Sequence, residues 1–202
     1  MDQISLSSLP VAILLPALLL ATTSFIRISV VFAALRMGLG AERLLPASVM
    51  TTLSLLVTIL IMYPTLRAGY AGWNSLLAGD AALGGGSDLE RLRSVVAPLW
   101  DFMAAHASAA ERDFFAELQG YGSEHPLVVL PAFLFSEVEA ALKSSIVILA
   151  PFWLFDILAA QLIAMLNWSI SAAFLTLPAK LLFFQAIDGW HLIVGSLYQS
   201  YR

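Results

Sequence analysis

The chain has 202 residues, of which 60% belong to the AVILMFWYC set and only 12% are charged, against averages of roughly 45–50% and 25% in soluble domains. One water-soluble core of this size cannot hide so much apolar surface, which argues against a soluble monomer and calls for a bilayer or partner subunits as covering. There are no cysteines, which excludes disulfides, thiolate metal sites and cysteine nucleophiles. The formal net charge of −4 sits in residues 67–125, with eight acids and four arginines, and with no basic cluster anywhere nucleic acid is not expected as a partner.

Residues 9–35 are nearly all apolar, with Arg27 their only charge, and run into Arg36-Met37-Gly38-Leu39-Gly40, whose glycines end helices. They read as a first span. A secretory signal needs a basic n-region and this terminus offers only Asp2, so the segment is expected to be retained. Residues 44–66 form an uncharged apolar run long enough to cross roughly 30 Å of hydrocarbon, a second span bent or ended near Pro64.

Composition changes at Arg67, and eight of the twelve glycines fall between there and residue 125. This stretch reads as a water-exposed helical insert. Ser87 with Glu90 makes a capping-box start, followed by Leu89, Leu92, Val95, Val96 and Leu99 at helical spacing, with a disturbance expected at Pro98. Phe114, Phe115 and Leu118 suggest a second short helix packed on the first. From Pro126 the chain is apolar again, interrupted by Glu137, Glu139, Lys143 and Asp156, and Pro131 and Pro151 predict broken or kinked helices. Residues 144–166 and 168–187 read as third and fourth spans, with 189–197 an apolar stub.

The fold class expected is therefore all-α, of membrane-associated hairpins with kinked or broken helices. It divides into an N-terminal hairpin (1–66), an insert (67–125) and C-terminal hydrophobic helices (126–202). Arg36 and Arg43 after the first span place that loop inside and the acidic insert outside.

Charges inside apolar segments carry the most information, because each costs at least about 2.5–3.5 kcal/mol at a bilayer centre unless paired, snorkelling or facing protein. Glu139 and Lys143 form a favourable i,i+4 pair. Arg27, Glu137, Asp156, Lys180 and Asp188 lack close opposite charges in sequence, so contacts between helices or, preferably, between subunits are expected. No HExxH, GxSxG, P-loop or GxGxxG is present, and His106, His125 and His191 lack ligand spacing. No enzyme, cofactor or metal site is expected, and Ser136 beside Glu137 reads as a helix hydroxyl. The same charges support one other class, a small ion-coupled transporter or proton-channel subunit with Asp156 or Glu137 as carrier, against which the lack of an internal repeat counts.

Three blocks stand out when taken together. The first runs from Leu15-Pro16-Ala17-Leu18 through Thr23-Ser24-Phe25-Ile26-Arg27-Ile28 to Leu39-Gly40. The second is Pro131-Ala132-Phe133, Ser136-Glu137, Pro151-Phe152 and Asp156, and the third Leu177-Pro178-Ala179-Lys180, Asp188-Gly189-Trp190 and Val194-Gly195-Ser196-Leu197. Jointly they resemble the FliP/SctR family, export-gate subunits of bacterial type III secretion systems, flagellar and injectisome alike. The resemblance covers essentially the whole chain, the insert most loosely.

It implies a homo-oligomer, a pentameric ring joined by FliQ/SctS-type and FliR/SctT-type subunits, through whose axis unfolded secreted proteins pass at the bacterial inner membrane. It also implies that neighbouring subunits cover much of the apolar surface beside membrane lipid, that hydropathy spans are hairpin arms, and that the insert packs on the periplasmic side. Family members often carry a methionine-rich gasket before the Leu-Pro-x-Lys block. Here the corresponding stretch is Met165-Leu166-Asn167-Trp168-Ser169-Ile170, with one methionine and with Trp168 as the alternative source of bulk. Glu139 stands where the family commonly has lysine. The chain's brevity and the weak signal at its start favour the injectisome branch.

Overall fold

A computed structural model describes residues 20–77, 88–167, 169 and 171–202. All seven elements among them are helices: α1 (Phe25–Leu39), α2 (Ala47–Leu77), α3 (Asp88–His106), α4 (Ala109–Gln119), α5 (Pro126–Leu166), α6 (Ala172–Ala186) and α7 (Gly189–Gln199). The all-helical expectation holds. Ser87 and the glycines at 84–86, and with them the expected capping box, lie outside the described residues, as does Pro16.

Helix ends follow local hydrogen-bond chemistry. The expected single helix over 9–35 is interrupted, in its described part, by a turn at Thr22–Ser24. There the Thr23 hydroxyl donates to the Leu20 carbonyl and accepts from the Phe25 amide, so a side chain competes with the helical ladder. α1 ends where Gly40 adopts φ +66°, which lets the Ala41 amide reach back to the Arg36 carbonyl. The Arg36 guanidinium then closes the short turn to α2 by donating to the carbonyls of Leu45 and Glu42. α4 starts at a Ser-x-x-Glu box, with the Ser108 hydroxyl accepting from the Glu111 amide, and stops at left-handed Gly120. α5 begins on Pro126, a first-turn position that needs no amide donor.

Prolines end fewer helices than expected. α2 passes Pro64 and Arg67 and continues to Leu77, so the compositional boundary at residue 67 is not an element boundary. α3 contains Pro98, and the 41 residues of α5 stay helical past Pro131 and Pro151. A proline removes one amide donor and crowds one carbonyl, a local loss that the remaining hydrogen bonds of a long helix outweigh. The breaks come instead at Asn167, left-handed after α5, and at Ile187–Asp188, where α6 and α7 meet at a 60° bend. α2 and α5 are long and apolar enough to cross a membrane, and α6 with α7 makes a third if the bent pair is one span.

The chain forms two compact units. One contains residues to Ile26 with Thr58–Glu137, and the other Arg27–Val57 with Val138–Arg202. In the first, Met103 and Ala107 at the end of α3, Phe115 of α4, and Val128, Val129, Ala132 and Phe133 of α5 make one buried cluster. Of the three α4 residues expected to pack inward, Phe115 does so, while Phe114 and Leu118 are exposed. The second unit centres on Ile28, Val31, Phe32 and Leu35 of α1, all buried, and on a run of aromatic edges. Trp190 meets Phe32 and Phe184 edge-on, at 6.3 and 5.3 Å between centroids, and Phe184 lies beside Phe152.

Candidate functional site

Two of the five unpaired charges of the sequence find each other within one chain. Lys180, on α6, donates to Asp156 Oδ2 of α5 at 2.7 Å and to the Gly38 carbonyl at the end of α1 at 2.9 Å. α1, α5 and α6 are thereby tied at one point by a buried ammonium. The close approach needs a glycine at 38, where an added Cβ would stand 2.8 Å from Phe152 Cδ2. A cavity of about 440 Å³ adjoins the pair, walled by small residues such as Gly40, Ala160, Ala172 and Ala173.

Asp188 is also satisfied locally, by His191 at 2.7 Å one turn into α7, although both side chains are exposed. Its φ of +53° makes it a left-handed corner between α6 and α7. Gly189 follows it under the ring of Phe184, and there a Cβ would overlap the ring. Glu137 is buried, at 3% exposure, and engaged. Arg27 lies half-buried with its guanidinium 5.2 Å from the centre of the Tyr201 ring, and its Nε has no hydrogen-bond partner. The Glu139–Lys143 pair forms as spaced, at 2.7 Å on the exposed side of α5.

The remaining described motif residues lie along α5, α6 and α7. Phe133 and Phe152 are buried, Pro131 and Pro151 lie along α5, Pro178 lies inside α6, and Trp190 carries the aromatic edges described above. Ser136 does more than the sequence indicates: its hydroxyl donates to the Ala132 carbonyl and accepts from the Ser108 amide at 2.8 Å, binding the α3–α4 turn to α5. Of the pore-proximal stretch, Met165 is 82% exposed, Leu166, Asn167 and Ser169 are exposed as well, and Trp168 and Ile170 lie outside the described residues. Sequence reasoning missed Gly38 as an acceptor and Tyr201 as the cover of Arg27. A carbonyl has no sequence signature, and an aromatic near the end of the chain has no spacing that points to residue 27.

The FliP family profile matches residues 9–197. The flagellar biosynthetic protein FliP of Caulobacter vibrioides is 33% identical over 197 residues, covering 94% of this chain and 72% of that protein. That of Rhizobium meliloti is 31% identical over 196 residues, covering 92% and 78%. Yop proteins translocation protein R of Yersinia pestis is 30% identical over 200 residues, covering 93% and 91%. With the described parts of its three motif blocks falling mainly on helices α1, α5, α6 and α7 and a profile match that runs through all of them, the chain belongs to the FliP family.

Proposed function

We propose that this chain is a core subunit of the export gate of a bacterial type III secretion system, of the injectisome kind, forming with further copies of itself a ring through which unfolded proteins leave across the inner membrane. Membership of the FliP family makes it a membrane component of a flagellar or type III export apparatus. The ring, its FliQ/SctS-type and FliR/SctT-type neighbours and a periplasmic side for residues 67–125 belong to the proposal. So does the absence of catalysis: the work assigned to this subunit is mechanical, with energy supplied by other components.

The observation that supports assembly most directly is the outer side of α5. Its most apolar stretch is only 17% buried within the chain, and Leu142, Ile146, Trp153, Leu154, Ile157 and Leu158 are all exposed. Burying one such side chain fully is worth about 1.5–3 kcal/mol, so a second surface on this row gains a large driving force. The same helix carries the exposed Glu139–Lys143 pair and Gln161, groups that suit a protein neighbour better than hydrocarbon. Lys180 and Asp156 then serve to lock each subunit's own helices, and the apolar rows join the subunits. In this reading residues 165–170, which begin with the exposed Met165 at the end of this helix, line the axis.

Native mass spectrometry of the full chain, co-expressed with FliQ/SctS-type and FliR/SctT-type subunits and released in mild detergent, tests the reading. Five copies of this chain with both partners is the expected result. A monomer that conducts ions by itself in liposomes overturns it in favour of a transporter.

A further inference from the structure

We propose that the cavity around Arg27 is a binding site for an acidic membrane phospholipid, whose phosphate meets the guanidinium and whose acyl chains leave along the apolar rim. The cavity, about 320 Å³, is lined by residues of α1, α5 and α7 that all belong to one compact unit. Arg27, Ser144 and Ser196 are its polar lining, and the other walls are aliphatic, including Val31, Val147, Leu192 and Ile193.

The Arg27 side chain brings a guanidinium cation to this cavity. Among the described residues its charge is answered only by the face of Tyr201. A cation–π contact of this kind is a weak attraction, less than the cost of a charge held in an apolar setting. Its Nε, buried and without a partner, still offers a hydrogen. The site is therefore short of one anion.

A carboxylate from a second copy is the protein alternative, and the structure disfavours it. Among the acids of the described apolar helices, Glu139 is paired with Lys143 and Asp156 with Lys180, and Glu137 is buried and engaged, which leaves Asp188, exposed and hydrogen-bonded to the exposed His191. A second copy thus has one acid at most on these helices to offer. The rim points the same way: Val147 is 73% exposed and Leu192 59% exposed at the mouth, as an anion with a long apolar tail requires. A phosphodiester supplies a permanent negative charge and acceptors for both the guanidinium and the Ser196 hydroxyl. Free phosphate shares that chemistry but makes no use of the aliphatic rim.

The test uses the full chain in nanodiscs of phosphatidylcholine with and without phosphatidylglycerol, and counts lipids retained after release into detergent by native mass spectrometry. The wild-type protein is expected to retain phosphatidylglycerol over phosphatidylcholine. Arg27→Gln reduces that preference roughly tenfold, the scale of one charge-assisted contact, and Arg43→Gln, in the loop after α1, leaves it unchanged. Val147→Trp, which fills the mouth from an exposed position and spares Arg27, reduces it likewise and covers the case in which Arg27→Gln fails to fold. Inorganic phosphate at the same headgroup concentration does not compete.

Equal retention of the two lipids by the wild-type protein overturns the proposal, as does an Arg27→Gln protein that keeps the preference. Full competition by inorganic phosphate overturns it in favour of a free-anion site. Loss of self-association in Arg27→Gln without any lipid preference overturns it in favour of a carboxylate from a second copy.

Discussion

Lys180 and Asp156 face each other at 2.7 Å, yet the lysine side chain is 5% exposed and the aspartate 47%, so the two ends of one ion pair sit in different surroundings. The consequences of breaking it are unequal. Removing Asp156 strands a buried ammonium with only the Gly38 carbonyl, whereas removing Lys180 leaves a carboxylate that water reaches. Asp156→Ala should therefore destabilise more than Lys180→Met, by about 1–3 kcal/mol, after the 3–5 kcal/mol typical of a fully buried pair is discounted for the aspartate's exposure. Thermal unfolding of the detergent-solubilised protein measures the order. The double variant should recover part of the Asp156→Ala loss, because no charge is then left stranded. The reverse order would mean that the lysine stem, and not its charge, does the stabilising.

Phe114 and Phe115 are neighbours with opposite fates. Phe115 is buried among Met103, Ala107 and Phe133 and meets Phe135 at 5.3 Å, while Phe114 is 58% exposed. Phe115→Ala should cost about 3–5 kcal/mol, the range for emptying a buried aromatic site, and Phe114→Ala less than about 0.5 kcal/mol. Limited proteolysis within residues 88–125 reads the difference, since the loss should open α3 and α4 first. Equal protection in both variants would show that α4 is not anchored through Phe115.

Ser136 holds a long-range bond by one hydroxyl. Ser136→Ala leaves the part-buried Ser108 amide without its acceptor at the α3–α4 turn, a loss of about 0.5–1.5 kcal/mol, the net worth of one such bond. Hydrogen exchange at Ser108 should quicken accordingly. Ser144, whose hydroxyl donates only to the Ala140 carbonyl of its own helix, is the control, and Ser144→Ala should leave exchange at Ser108 unchanged. Unchanged exchange in Ser136→Ala would mean that water replaces the hydroxyl at no cost.

The legible and illegible parts of this molecule divide by range. Helices were legible because apolar runs broken by glycine at 40 and 120 leave the backbone little else to do. The Glu139–Lys143 pair was legible because i,i+4 spacing is itself a contact. Helix ends near proline were not: Pro64, Pro98, Pro131 and Pro151 each mark a lost donor, but the penalty is local and the packing of the surrounding turns is not. Arg67 marks a change of solvent preference, which has no bearing on whether the amide of one residue meets the carbonyl four before it. The Lys180–Asp156–Gly38 knot lay beyond sequence reasoning for a further reason. It joins residues 24 and 142 positions apart, and the distance closes only after three helices have packed. The need for partners between distant charges was readable, but which partner each charge takes was not.

Gly189 supports the last prediction, since it follows the left-handed Asp188 at the 60° bend between α6 and α7. Its own hydrogen faces the ring of Phe184, and Phe184 in turn holds the edge of Trp190. A methyl there would overlap the ring, and Phe184, itself buried between Phe152 and Trp190, has no free direction in which to move. Gly189→Ala should therefore cost about 1–3 kcal/mol, as overpacking of a filled site does. Phe184→Leu introduced into that variant should restore part of the loss by removing the atoms that clash. Asp188→Gly separates backbone from packing, for it relieves the left-handed strain but gives up the exposed contact to His191. The two effects nearly cancel, so its unfolding midpoint should stay close to that of the wild-type protein. If Phe184→Leu gives no rescue while Asp188→Gly stabilises strongly, the bend is limited by backbone strain at Asp188 and not by the ring over Gly189.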